Sequence, residues 1–256
     1  MKITLIQSEL FWEDKPANIA YFTTCINDLK EQTDIIMLPE MFATGFTMNA
    51  SQMAETMDGE VVTWMKETAV KKNVAICGSL IIEEKKKYYN RFIWTDAEGR
   101  LLIYDKRHLF RMGDENNNYN EGGKRIIIDH KGFRILPLVC YDLRFPVWMR
   151  RTKSFDYDLI LIVANWPERR NLAWKTLLQA RAIENQCYVA AVNRVGNDGN
   201  GIYHSGDSSV IDPKGNIIFR LADKSFIKTF SFDIHEISEW RKLFPVIEDA
   251  DNFIFE

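Results

Sequence analysis

Three polar side chains, a carboxylate, an ammonium and a thiol, each follow a separate apolar run of the sequence. They are Glu40, Lys106 and Cys140. A carboxylate can take the proton of a thiol, and a neighbouring ammonium lowers the pKa of the thiol and stabilises an oxyanion. The set therefore predicts acyl transfer through a thioester, a reaction that requires no metal, no cofactor and no histidine.

Each of the three residues also has an ordinary structural interpretation. Glu40 could cap the turn that follows it, and Lys106 could be a solvated lysine in a basic segment. Cys140 could be a packed small hydrophobic residue, which is what we expect of Cys25, Cys77 and Cys187 inside their apolar segments. However, Cys140 ends an apolar run and precedes a polar turn, where a nucleophile is presented on a strand-to-helix elbow. The prediction of chemistry depends on the three residues together.

Short apolar strands that alternate with amphipathic helices would position these residues. Apolar residues spaced by three and four predict helices at residues 18–31, 59–72 and 171–185. Apolar or alternating runs predict strands at residues 2–7, 34–40, 74–82, 88–96, 101–106, 125–129, 133–140, 158–164, 187–193, 207–212, 217–221 and 225–234. Helices that recur between strands predict an α/β domain with two sheets in layers and helices outside. In such folds sites assemble at the carboxyl ends of strands.

Composition and charge exclude several classes of function. The chain has 256 residues, 46% of them hydrophobic, and a net charge of -3, which disfavours binding to nucleic acid or to an anionic membrane. A chain of this size can build a core without disulfides or metals. It contains no CxxC pair and no apolar run of membrane-spanning length, and we expect no signal peptide because the first apolar segment, 2–7, is short and soon becomes polar. We therefore expect a reduced, cytoplasmic protein.

The motifs around the three polar residues resemble those of the nitrilase superfamily of carbon–nitrogen hydrolases. They occur in the family's order, as residues 38–40, 104–110 and 139–146, and further similar segments lie at 165–167, 179–185 and 205–208. The resemblance covers nearly the whole chain and is greatest to the bacterial omega-amidases, which hydrolyse the terminal amide of 2-oxoglutaramate, 2-oxosuccinamate and similar omega-amido dicarboxylates. Many nitrilases carry Cys-Trp-Glu at the nucleophile, whereas this chain has Cys140-Tyr141-Asp142, which favours amide over nitrile hydrolysis.

This resemblance implies a four-layer αββα sandwich that dimerises into an eight-layer assembly. It implies one domain over residues 1–256, whose acidic and aromatic tail, 244–256, we expect at the interface between subunits. It also implies that Glu40, Lys106 and Cys140 form a Glu-Lys-Cys triad. A second glutamate in the loop after the lysine completes the family's site. We place it at Glu115, seven residues before Gly122, with Glu121 as the competing choice.

In the implied mechanism, Cys140 attacks the amide carbonyl while Glu40 holds its proton, and Glu40 later activates water to hydrolyse the thioester. The oxyanion is held by Lys106 and by the backbone N–H of Tyr141. Glu115 would orient Lys106 or the water.

The substrate's distal carboxylate requires a cation, for which Arg144 and Arg170 are candidates, together with the neighbouring Arg169. Trp166 and Tyr119 are candidates for an apolar wall. Each has a structural alternative: a salt bridge for Arg144, a solvated charge pair for the other arginines, and core packing for the two aromatic residues.

Other functions remain open at this point. Within the same chemistry, the chain could be an N-carbamoyl amino acid or polyamine amidohydrolase, because the triad does not determine the substrate. A binding protein that has kept the fold and lost the activity is a second alternative, which the intact triad disfavours. A glutamine amidotransferase subunit is a third, and it would need a separate partner chain.

Overall fold

Two β-sheets face each other across the centre of the protein. A computed structural model describes residues 1–251 and 253–255. In chain order, the strands are β1 (Lys2–Gln7), β2 (Ile35–Met37), β3 (Ala75–Glu84), β4 (Lys87–Thr95), β5 (Leu101–Asp105), β6 (Ile128–His130), β7 (Phe133–Val139), β8 (Leu159–Ala164), β9 (Tyr188–Asn193), β10 (Val195–Asn197), β11 (Tyr203–Ile211), β12 (Ile217–Ala222) and β13 (Phe226–Ser231). The helices are α1 (Lys15–Asn27), α2 (Ala50–Met53), α3 (Glu60–Lys72), α4 (Glu115–Asn118), α5 (Pro146–Met149), α6 (Asn171–Asn185) and α7 (Ile234–Leu243).

Each sheet is built around three parallel strands. The first sheet has the order β13-β1-β2-β3-β4-β5, in which β1, β2 and β3 are parallel. Since β4 is antiparallel to both β3 and β5, β5 runs in the same direction as the parallel strands. The second sheet has the order β10-β11-β9-β8-β7-β6, with β12 beside β11, and β7, β8 and β9 are parallel. The residues that follow β2 and β5 therefore lie at one edge of the first sheet, and those that follow β7 and β8 at one edge of the second.

Alternation along the strands explains the layers. On β1, Ile3 and Leu5 join the core between the sheets, whereas Ile6 faces the other way, towards helices α1 and α3. Helix α3 covers that outer face with the apolar side chains Val61, Val62, Met65 and Ala69. On the opposite side of the molecule, α6 buries Trp174, Leu178 and Ala182 against the second sheet. The expected four-layer αββα architecture is thereby confirmed.

The largest error in the predicted elements lies near the C-terminus. The strand predicted at 225–234 ends at Ser231, and α7 begins at Ile234. The side chain of Asp233 accepts a hydrogen bond from the backbone N–H of His235 and caps this helix. The sequence did not predict the helix because the apolar run before it was extended through Asp233 as a strand. The polar segment 107–124 contains the single turn α4.

Part of the C-terminal tail packs on its own chain. The ring of Phe255 lies 5.3 Å from that of Trp148, and Asn252 and Glu256 lie outside the described residues. The interface between subunits expected at 244–256 stays a prediction. In the described part of the chain, every helix is too short or too polar to cross a membrane.

Candidate active site

The four polar residues expected to do the chemistry meet where the two sheets present their carboxyl ends to each other. Glu40 follows β2, Lys106 follows β5, and Cys140 follows β7 directly. Glu115, on α4, reaches the same place. The sequence placed these residues at strand ends, and the parallel topology brings those ends together.

Lys106 forms the centre of a buried charge cluster. Its Nζ lies 2.8 Å from Glu40 Oε1 and 2.9 Å from each carboxylate oxygen of Glu115. All three side chains are fully buried. Burial alone would lower the pKa of Lys106, but the negative charges of Glu115 and Glu40 raise it above its usual value. The lysine is therefore an ammonium whose position two carboxylates fix.

The position of Glu115 distinguishes it from Glu121. Besides its two contacts with Lys106, Glu115 accepts a hydrogen bond of 2.6 Å from the backbone N–H of Phe110, and burial raises its pKa. Glu121 lies at the surface and pairs with Arg107. The structure thus brings Glu115, and not Glu121, into contact with the lysine.

Asn90 is a member of the site to which the sequence analysis gave no role. Its Nδ2 donates to Glu40 Oε1 at 2.7 Å and to Glu115 Oε1 at 3.1 Å, while its Oδ1 accepts from the hydroxyl of Ser79. It sits fully buried in the middle of β4. An asparagine inside an apolar strand is the signal that would have identified it, since buried polar groups need partners.

Cys140 occupies a strained elbow. Its φ is 44°, in the left-handed region that non-glycine residues rarely adopt and that is common at functional sites. The short 3₁₀ turn Cys140–Arg144 follows. Asp142 anchors this turn: one carboxylate oxygen accepts from Val139 N and the hydroxyl of Tyr104, and the other contacts His108 N and Nδ1. The elbow is thereby attached to the segment that carries Lys106.

The thiol of Cys140 is held neutral in the resting site. Burial raises its pKa well above the usual value, the charge and hydrogen bonding of Glu40 raise it further, and the charge of Lys106 lowers it only in part. The expectation that Lys106 lowers the pKa gave the correct sign for that charge but omitted the larger effects. Attack by the sulfur must therefore be coupled to transfer of its proton to a base, and Glu40 is the carboxylate beside it.

A cavity of about 400 Å³ opens above Cys140 and Lys106. Arg144, Arg169 and Arg170 are among the residues that line it, together with Trp166, and we call these three arginines the arginine face. Within residues 1–251 and 253–255, none of the three arginines forms an ion pair. The guanidinium of Arg144 lies 4.9 Å from the ring centroid of Trp166, and that of Arg170 lies 4.8 Å from that of Phe110.

The arginines therefore present uncompensated positive charge to the cavity. Burial lowers the pKa of Arg170, and the charges of Arg169 and Arg144 lower it further. The salt bridge that the sequence left open for Arg144 is not formed with any residue of the described chain. An anionic group of a ligand would supply the missing counter-charge.

Tyr119 does not line the cavity, contrary to the expectation of an apolar wall. Its hydroxyl donates to the backbone carbonyl of Thr47 at 2.6 Å, and its ring belongs to a small core with Met41, Ala50 and Ile81. The single turn of α4 directs this side chain inward. Trp166 and Tyr141, by contrast, both line the cavity.

Comparison with known proteins adds three findings. Residues 2–242 match the carbon–nitrogen hydrolase family. The chain is 47% identical to omega-amidase YafV of Escherichia coli K12 over 99% of this chain and 98% of that protein, and 32% identical to 2-oxoglutaramate amidase of Bacillus subtilis over 96% of each. Its structure is similar to that of XC1258 from Xanthomonas campestris, described as a CN-hydrolase superfamily protein with an arsenic adduct in the active site. The TM-score is 0.97 at 42% identity, and 100% of this chain and 99% of that one are covered.

Proposed function

Because this chain belongs to the carbon–nitrogen hydrolase family, and is thus a hydrolase of amide carbon–nitrogen bonds, we propose that it is an omega-amidase. Its substrates are 2-oxoglutaramate, 2-oxosuccinamate and similar omega-amido dicarboxylates, which it converts to the acid and ammonia. One observation carries the proposal: a single cavity joins Cys140 and its charge cluster to the unpaired arginine face. The likeness to proteins named omega-amidase and 2-oxoglutaramate amidase supports it.

The first half of the reaction is acylation of Cys140. The sulfur attacks the amide carbonyl as its proton moves to Glu40, whose two oxygens are already oriented by Asn90, Lys106 and the backbone of Asn165. The carbonyl oxygen becomes an oxyanion, held by the Lys106 ammonium and the backbone N–H of Tyr141. The carbon–nitrogen bond then breaks as the nitrogen takes the proton from Glu40. Ammonia departs, and the acyl group remains bound to Cys140 as a thioester.

The second half of the reaction is hydrolysis of that thioester. Glu40, again ionised, takes a proton from a water molecule as the water attacks the acyl carbon. The thiolate leaves and recovers the proton, and the acid is released. Glu115 positions Lys106 through both steps, since it makes two of the three carboxylate contacts to the ammonium.

The arginine face binds the end of the substrate that does not react. Arg144 and Arg170 donate hydrogen bonds to the distal carboxylate, and the ring of Trp166, 4.9 Å from the guanidinium of Arg144, forms an apolar wall. A neutral amide of the same length lacks that contact and is bound more weakly.

We also propose that this single domain works as a homodimer in the cytoplasm, with residues 244–256 at the interface. Cys25, Cys77, Cys140 and Cys187 are all free, and a thiol nucleophile survives best in a reducing compartment. Sedimentation of the intact chain and of one that ends at residue 243 measures the dimer, and only the intact chain is expected to dimerise fully.

The test of the proposed function is ammonia release from 2-oxoglutaramate, succinamate and N-carbamoyl-β-alanine. We expect rapid release from the first two, and its loss in Cys140→Ala. Cys25→Ala, at a buried cysteine of α1 outside the cavity, is the matched control and keeps its turnover. Release from the carbamoyl compound alone would replace the omega-amidase with an N-carbamoyl amidohydrolase. Turnover retained by Cys140→Ala would contradict the assignment of Cys140 as the nucleophile.

A further inference from the structure

Asn165, the first residue after β8, lines the active-site cavity and carries an unused hydrogen-bond acceptor. It is 4% exposed and lines the cavity beside Cys140. Its Oδ1 is buried and has no hydrogen-bond partner anywhere in the part of the chain that the structure describes. A buried amide oxygen left without a donor is costly, so such an atom in a cavity indicates a ligand donor.

The rest of Asn165 is firmly bound to Glu40. Its backbone N–H donates to Glu40 Oε2 at 2.7 Å, and its Nδ2 donates to the backbone carbonyl of Glu40. These contacts fix which end of the amide is which, because the opposite orientation would place Oδ1 against a carbonyl oxygen, and neither atom has a hydrogen to donate. The Oδ1 atom of Asn165 and the carboxylate of Glu40 therefore hold fixed positions relative to each other.

We infer that Asn165 Oδ1 accepts a hydrogen bond from the –NH₂ of the scissile carboxamide, which makes Asn165 a residue that selects primary amides. The inference rests on the proposed omega-amidase function. With one N–H directed to Asn165, the nitrogen's lone pair is free to face Glu40, the group that must protonate it on departure. An ester has no N–H at this position, so its leaving oxygen cannot satisfy the acceptor.

Asn193 provides the matched control. It is the last residue of β9, adjacent to β8, and is also buried. Its Oδ1 accepts from the backbone N–H groups of Trp166 and Arg194, and its Nδ2 donates to the carbonyls of Trp166 and Gly206. Because Oδ1 and Nδ2 each make two hydrogen bonds, Asn193 positions the chain and has no free donor or acceptor for a substrate.

The experiment compares an amide with an ester that shares its distal carboxylate: succinamate and monomethyl succinate. We expect Asn165→Ala to lower kcat/KM for succinamate at least about tenfold more than for the ester, as is typical when a buried hydrogen-bond partner is removed. Asn193→Ala should lower both values by the same factor. Asn165→Asp keeps an oxygen at the Oδ1 position but places a second oxygen against the Glu40 carbonyl, so both rates should fall while the amide-to-ester ratio stays within about threefold of the wild type.

Two results would contradict different claims. An equal loss of amide and ester hydrolysis in Asn165→Ala, with a wild type that is active on omega-amides, would show that Asn165 only positions Glu40. A wild type that releases no ammonia from succinamate or 2-oxoglutaramate would overturn the proposed function, and this inference with it. Should Asn165→Ala fail to fold, a shifted amide-to-ester ratio in Asn165→Asp would by itself contradict the inference.

Discussion

Two groups of charged residues at the active-site cavity balance their charge in opposite ways, and we call the group around Lys106 the reacting end. At the reacting end, Lys106 contacts Glu40 and Glu115 within 2.9 Å, and all three side chains are fully buried. At the arginine face, three guanidinium groups line the cavity and none is paired with a carboxylate of the described chain. One end is internally compensated and the other is not.

This difference corresponds to what the proposed reaction requires of each group. Groups that move protons or hold an oxyanion need fixed positions and fixed protonation states, so their charges are balanced within the protein. Groups that bind a substrate's charge must stay unbalanced until the substrate arrives, because a resident carboxylate would compete with it. The comparison predicts that changes at the reacting end affect turnover and stability together, and that changes at the arginine face affect binding.

The largest expected effect is that of Lys106→Met. The substitution leaves Glu40 and Glu115 buried without their common counter-charge, and breaking a buried pair in this way costs about 3–5 kcal/mol of stability. Turnover should fall at least a thousandfold, since an oxyanion donor is also lost. Denaturant unfolding and ammonia release measure the two losses.

Lys85→Met is the control for that change. Lys85 contacts Glu84 at the surface, where an ion pair is worth about 0–1 kcal/mol, so stability and turnover should both stay near the wild type. A Lys106→Met enzyme that kept the wild-type stability and turnover would show that the charge cluster around Lys106 is not essential.

A smaller effect, and one confined to binding, is expected for Arg144→Leu and Arg170→Leu. A hydrogen-bonded charge pair with the substrate is worth about 1.5–3 kcal/mol, which corresponds to a rise in KM for succinamate of about 10- to 100-fold. Propionamide, which has no distal carboxylate, should show almost no change. Arg100→Leu, which removes an exposed arginine paired with Asp96, serves as the control. An equal rise in KM for both amides would assign these arginines to packing.

A third prediction concerns a buried histidine that lines the cavity. His204 lines the cavity, and burial, followed by the positive charge of Arg194, lowers its pKa to about 4, although Asp198 acts in the opposite direction. Between pH 4 and 6.5 the unfolded chain binds a proton at this residue that the folded chain does not, so stability falls as the pH falls. From pH 7 to pH 5, that loss amounts to about 2 kcal/mol for this residue.

Urea unfolding at the two pH values tests this prediction with His204→Asn and His235→Asn. The drop in stability between pH 7 and pH 5 should be smaller by about 2 kcal/mol in His204→Asn. His235 is exposed, so its replacement should leave the drop as in the wild type. An unchanged drop in His204→Asn would mean that the folded protein accepts a proton at His204.

The sequence predicted the site wherever a residue's position along a strand decides its position in the fold. Glu40, Lys106 and Cys140 each end an apolar run, and the rule that strand ends form sites was enough to group them. Glu115 was placed by a family resemblance, since its loop offers no periodicity.

What the sequence did not predict depends on contacts between distant segments. Asn90 joins Glu40 and Glu115 across 50 and 25 positions of the chain, and the unused oxygen of Asn165 is apparent only once its neighbours are in place. Tyr119 packs in a small core, the alternative that the sequence left open beside the apolar wall. Its direction is set by one helical turn and by the carbonyl of Thr47.

The smallest expected effect follows from that packing. Tyr119→Phe removes only the hydroxyl that donates to Thr47, so it should cost about 1 kcal/mol of stability and leave kcat and KM unchanged. Tyr141→Phe, at a residue that does line the cavity, provides the comparison: it should change KM measurably with less effect on unfolding. A Tyr119→Phe enzyme with an altered KM and an unaltered stability would instead indicate that Tyr119 is part of the cavity wall. We therefore expect Tyr119→Phe to lower stability without changing KM, and Tyr141→Phe to change KM with less effect on stability. That pair of results would extend the contrast from charged groups to hydroxyls, since one hydroxyl is paired within the protein and the other is available to a substrate.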